Sequence, residues 1–188
     1  PNHILNIRLN TFSNQSITLN AMSSKPLDTS DPAIANAWKD MSDQKSTNNW
    51  LLTSCTKDGV VTLAGSGSGG FDELVQSFDQ KQVMFGVLKV LGKDVRKSVE
   101  SIRPKFIFFT FIGEEVPVLQ RARVSVQRPD VEKIFNGYAV RMDISGGNMS
   151  TFSKAEIAKE LLRCGGAHAP THYVFGPSDE LEVNPSPQ

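Results

Sequence analysis

The sequence predicts an α/β fold of the α+β kind, a single mixed sheet of five or six strands held between two layers of helices. Three observations carry this. The apolar pattern switches repeatedly between the helical and the strand repeat, in the order helix, strand, strand, helix, strand, strand, helix, strand, helix. Short connections inside the strand pairs favour antiparallel neighbours, which leaves the helices to cover the sheet. Residues 106–112 (FIFFTFI) are apolar at nearly every position, as a central strand buried on both faces requires, and the run is too short to cross a bilayer. At 188 residues the chain is long enough for one well-buried core and short for two.

Residues 1–30 are expected to be a flexible leader. The first 21 are rich in Asn, Ser and Thr, carry no acid and show neither a period nor the apolar run of a secretory signal, while Met22 opens a stretch resembling an ordinary protein start. Asp31-Pro32 then joins an N-cap acceptor to a proline at the first helical position. Ile34, Trp38 and Met41 follow at helical spacing, giving a helix over 31–43. Strands are expected over 50–56 and 60–64, turned by Lys57-Asp58-Gly59, where Asp-Gly tolerates the positive φ of a tight hairpin. Beyond the glycine-serine connector of residues 65–70, Phe71, Leu74, Val75 and Phe78 make a core-facing helical stripe. Asp72 and Glu73 sit in its first turn, where acids suit the dipole.

Residues 83–90 and 106–112 read as the next two strands. Pro117 opens a long helix that Pro129 should kink or restart, with Val131, Ile134 and Phe135 inward and Gly137 as the stop. Tyr138, Val140, Met142 and Ile144 alternate with Ala139, Arg141 and Asp143, giving a strand with one buried face. Ser153 and Glu156 form a capping box, Phe152 can staple to Ile157, and Gly165-Gly166 ends the last helix. The folded domain is therefore expected over 31–166. Residues 167–188, with four prolines and several acids, read as a flexible tail.

Composition narrows the chemistry. Twenty Lys and Arg balance 20 Asp and Glu, against the basic excess of a bulk nucleic-acid or membrane binder, so neither partner is expected. Two cysteines, Cys55 and Cys164, are too few for a disulfide framework and read as free thiols in a reducing compartment. Residues 65–70 (GSGSGG) match G-x-G-x-x-G. However, the strand before them is the second arm of a hairpin, the next strand ends without an acid for a ribose, and no Gly-Lys-Ser/Thr follows. His168 and His172 flank Pro170, which interrupts the helical face a metal pair would use. Neither cysteine has a histidine nearby in sequence, and Glu114-Glu115 fit a turn before Pro117. No catalytic residue, metal site or cofactor is expected. Positive charge gathers at Lys93, Arg96, Lys97, Arg103 and Lys105, between the third and fourth strands or where the latter begins. It gathers again at Arg121 and Arg123 on the long helix, and at Lys154, Lys159 and Arg163 on the last.

Pro104-Lys105-Phe106-Ile107-Phe108-Phe109-Thr110-Phe111-Ile112-Gly113-Glu114-Glu115-Val116 resembles the strand-to-helix core of coactosins, and Leu119-Gln120-Arg121-Ala122-Arg123 is similar to their Leu-Gln-Arg-Ala-Lys segment. Asn49-Trp50, the GSGSGG stretch with Phe71-Asp72-Glu73-Leu74, and Gly165-Gly166-Ala167 fall in the expected order, so the resemblance spans about residues 31–167. Coactosins have the actin-depolymerising factor/cofilin homology fold, a mixed sheet flanked by helices. The resemblance implies a non-enzymatic, monomeric protein of the cytoplasm and cytoskeleton that binds the side of filamentous actin, with little severing or monomer binding. It puts the family's filament-binding lysine at Lys105 and the neighbouring base near Arg103, with Pro104 between them where the family has a small or polar residue. Arg96, Lys97, Arg121, Arg123, Lys159 and Arg163 complete the candidate actin-binding set. Two other readings stay open: a cofilin-type depolymerising or severing factor, and a nucleotide-binding enzyme using residues 65–70.

Overall fold

The computed structural model describes residues 26–56, 58–96, 99–165 and 169–184. Helix α1 (Pro32–Ser42) starts as its sequence requires, with Asp31 accepting the Ala33 N–H at 2.9 Å and Pro32 in the first turn. Strands β1 (Trp50–Cys55) and β2 (Val61–Gly67) form a hairpin whose turn uses Gly59 at φ 81°. Strand β2 outruns the expected 60–64 and absorbs the first half of the supposed connector: Gly65, Ser66 and Gly67 lie opposite Leu52, Leu51 and Trp50. Helix α2 (Phe71–Gln76) follows, and then β3 (Val83–Arg96) and β4 (Val99–Ile112), each 14 residues long and in register from Val83–Ile112 to Arg96–Val99.

Helix α3 (Val118–Glu132) continues through Pro129, so the restart expected there does not occur. The acceptor that loses its donor is the carbonyl of Ser125, an exposed residue, so water can take the place of the missing bond. Strand β5 (Val140–Ser145) buries Val140 and Ile144 and exposes Arg141 and Asp143, the expected alternation. Ser153 caps α4 (Lys154–Cys164) by accepting the Glu156 N–H at 3.2 Å. Strands β6 (His172–Gly176) and β7 (Asp179–Glu182) complete a seven-stranded sheet.

The order β2-β1-β3-β4-β5 is antiparallel except at β4–β5, which is parallel; β6 pairs with β3, and β7 with β6. Strand β4 holds one edge of β3. The other edge is shared, by β1 along residues 84–88 and by β6 along 91–93. Five or six strands were expected, and the excess comes from the segment expected to be a flexible tail. Tyr173 and Phe175 are fully buried there, while Pro170 and Pro177 stand just outside β6. Proline and acid content masked a strand only five residues long. At the other end the fold also begins earlier than residue 31: Leu27 is buried and Asp28 bridges to Val60.

Period two in β4 divides the core between two layers. Ile107, Phe109 and Phe111 pack towards α2 and α4, with Phe71, Leu74, Ile157 and Leu161. Phe106, Phe108 and Ile112 pack towards α1 and α3, with Ile34, Met41, Val124, Val131 and Phe135. Each buried phenylalanine contributes roughly 1.5–3 kcal/mol relative to exposure. Gly86 makes the fit possible, since a Cβ there would come within 2.6 Å of the Phe109 ring.

Candidate functional site

The long β3–β4 hairpin is the feature that places the basic residues. The Phe106 carbonyl accepts the Ala139 N–H at 2.7 Å, the point at which the β5 side takes hold of β4. Outward of it, the edge of β4 has no strand beside it among the described residues. Backbone groups alternate along a strand, so the even-numbered residues of β4 turn theirs to this open edge. Pro104 falls in that set. Its missing N–H costs no bond to β3 and blunts the edge against stray pairing. Arg103 and Lys105 were expected in or beside a loop; they lie inside the strand, opposite Gly92 and Val90.

Arg103 and Lys105 are two residues apart, so both project on the α2/α4 side of the sheet. Arg103 is exposed and Lys105 half-exposed, and neither has a hydrogen-bond or ion-pair partner among the described residues. Arg96 ends β3 at the hairpin tip, and Lys97 lies outside the described residues. Lys93 is engaged, 3.4 Å from Glu180 and 4.0 Å from Glu100.

The other candidates are placed differently. The Arg121 guanidinium turns back on its own helix start, donating to the Val116 carbonyl at 2.7 Å and to that of Glu114. Arg123 is half-buried on the same helix. On α4, in the opposite layer, Lys159 pairs with Glu156 at 3.2 Å and Arg163 with Glu160 at 2.6 Å, both one turn apart. Lys154 bridges Asp72 at 2.9 Å and Asp179 at 2.7 Å, tying α4 to α2 and β7. The candidate bases therefore occupy three places: the hairpin, α3 and α4. Sequence reading missed an apolar surface on α3, where Val118, Leu119 and Val126 are 81%, 56% and 59% exposed. The available signal was a second apolar stripe on a helix that needs only one for its core contact through Val124 and Val131.

The glycine stretch closes on itself. Glu73 Oε2 accepts both the Gly69 N–H and the Trp50 indole N–H at 2.6 Å, and Asn49 Oδ1 accepts the Gly70 N–H at 2.9 Å. Trp50 first and Gly69 second hold the Glu73 carboxyl below the usual glutamate range. The amides that a phosphate motif offers to a ligand are used here by the protein's own side chains. Among the described residues no three His, Cys, Asp or Glu side chains converge as a metal site would need, and no helix is long and apolar enough to span a membrane. His172 lies in β6 beside Thr171, and His168 is outside the described residues. Cys55 is half-buried, which pushes its thiol up, and Cys164 is exposed.

Residues 26–162 match the cofilin/tropomyosin-type actin-binding protein family. The chain belongs to this family. Within it the chain is coactosin-like: coactosin of Dictyostelium discoideum is 32% identical over 141 residues, 74% of this chain and 92% of that protein. The coactosin-like fold is also that of Entamoeba histolytica coactosin, at TM-score 0.63 and 18% identity over 73% of this chain and 96% of that one. Mouse coactosin, an actin filament binding protein, superposes at TM-score 0.58 with 22% identity over 75% of this chain and 94% of its own. Strands β6 and β7 follow the last family-matched residue, 162.

Proposed function

We propose that this coactosin-like protein is a non-catalytic, monomeric binder of the side of actin filaments, working in the cytoplasm and cytoskeleton with little severing or monomer capture. The observation that carries the reading is the pair Arg103 and Lys105, without partners among the described residues, on one face of a strand that continues past the part of β4 paired with β5. Unpaired bases can be given to an acidic partner without first breaking an internal ion pair, and a strand holds them at fixed spacing. Arg96, the last residue of β3, and Lys97 stay in the proposed contact set. Arg121, Arg123, Lys159 and Arg163 are secondary contacts, because the first already bonds its own turn and the last two must exchange partners. Mouse coactosin being an actin filament binding protein supports the same choice of partner.

The exposed Val118, Leu119 and Val126 favour a second reading, since a bare apolar helix face suits broad contact with actin monomers of the kind a depolymerising factor makes. Co-sedimentation with preformed filaments separates the two. The expected result is protein in the pellet, less of it as salt rises, and filament mass unchanged. Absence from the pellet at low salt would remove the proposal, and rapid loss of filament mass would select the depolymerising reading.

A further inference from the structure

A cavity of about 840 Å³ opens between the end of α1, the outer half of the β3–β4 hairpin and the turn joining β6 to β7. Its floor is aliphatic and comes from three adjacent strands. Leu91 lies opposite Pro104 on one side and Val174 on the other, and Ile102 extends the row, 54% exposed. At the inner end stands Lys89, on the same sheet face as Leu91 and only 8% exposed. Its ammonium donates to the Met41 and Ser46 carbonyls at 3.0 Å each. The bond to Met41 caps the end of α1, that to Ser46 ties down the loop after it, and together they use two of the three N–H groups; the third has no acceptor among the described residues. The nearest acids do not fill the gap. Asp40 is occupied by Ser46 and Asn48, Asp43 accepts the Lys45 N–H, and neither is within ion-pair distance of Lys89.

The remaining N–H of this buried ammonium is a donor that a guest on the aliphatic floor can satisfy in place of solvent. We propose that this cavity binds a small amphipathic monocarboxylate, its chain lying on Leu91, Ile102, Pro104 and Val174 and its carboxylate accepting the third N–H of Lys89. The volume falls within the range of small-molecule sites, whose pattern is a mostly apolar lining with few placed polar groups. Asp43 also lines the cavity and repels any anion there, a doubly charged phosphate more than a monocarboxylate. Val174 lies beyond the family-matched residues, so one of the three strands that make the floor falls outside that match.

The proposal stands apart from actin and is tested without it. The isotope-labelled 188-residue protein is titrated with sodium decanoate below its micelle-forming concentration, following backbone amides and the Lys89 side-chain nitrogen. Saturable shifts are expected at Ser46, Lys89, Ile102 and Val174, and none with decylammonium, which has the same chain and the opposite charge. Ile102→Glu alters a half-exposed position, leaves the fold intact and sets a like charge on the floor; affinity should fall about tenfold or more. Lys89→Met, once circular dichroism shows it folded, should lose the preference for decanoate over decanol. No saturable shift, equal binding of decylammonium, or unchanged affinity in Ile102→Glu would each overturn the proposal. So would shifts at these residues with an aliphatic peptide but not with decanoate, which would make the cavity a protein-docking surface.

Discussion

The inner and outer halves of β4 are one strand with two different lives. From Ile107 to Phe111 every side chain is buried, sheet neighbours hold both edges, and helices cover both faces. From Val99 to Lys105 one edge has no strand beside it among the described residues, Ile102 and Arg103 are exposed, and proline interrupts the donors. The first half spends its residues on the core; the second borrows the rigidity of the first to hold charge in water. Stability and recognition can therefore be disturbed separately in a single strand, a few residues apart.

The strongest way to break the inner half is Phe109→Ala. Phe109 touches Phe78 and Phe152 and packs over Gly86. The cavity left behind should cost about 3–5 kcal/mol, read as a lower midpoint in urea denaturation. In the outer half, Lys105→Ala should leave that midpoint unchanged and weaken filament co-sedimentation by about 2–5 kcal/mol, the range for a desolvated interfacial charge. Unaltered pelleting would move the site away from β4.

A smaller effect sharpens the comparison from the neighbouring hairpin. Glu73 is held below its ordinary value by its bonds to Trp50 and Gly69. Its stabilisation is complete above the free glutamate range, near pH 4.3, and is lost as pH falls through the lowered value. Glu73→Gln should therefore melt lower than wild type at neutral pH, with the gap closing in acid; thermal melts over a pH series check this. The smallest effect is expected of Lys159→Ala. Its exposed pair with Glu156 on α4 contributes about 0–1 kcal/mol to stability. Filament binding should drop far less than in Lys105→Ala, and an equal drop would enlarge the contact surface to include α4.

The same contrast explains what could be read from the chain alone. The inner half announced itself as FIFFTFI, and local signals such as the Asp31 and Ser153 caps set helix starts because their partners lie two or three residues away. The outer half is polar, so it read as a loop; its strand character comes from β3 across the hairpin, which no local period reports. Strand β6 was hidden for a similar reason, its two buried aromatics outweighed by the surrounding prolines and acids. Which bases are free could not be read either. Lys159 and Glu156 are a visible turn apart, whereas Lys93 meets Glu180 only because β6 and β7 dock beside β3.

That docking sets a timetable for the nascent chain. Thr171, just before β6, bonds the Lys93 carbonyl across 78 residues of sequence. While a ribosome is still making α3, β5 and α4, residues 91–93 of β3 present an unclaimed row of backbone donors and acceptors. The sheet can close only after β6 emerges, so its assembly depends on a contact of high sequence separation.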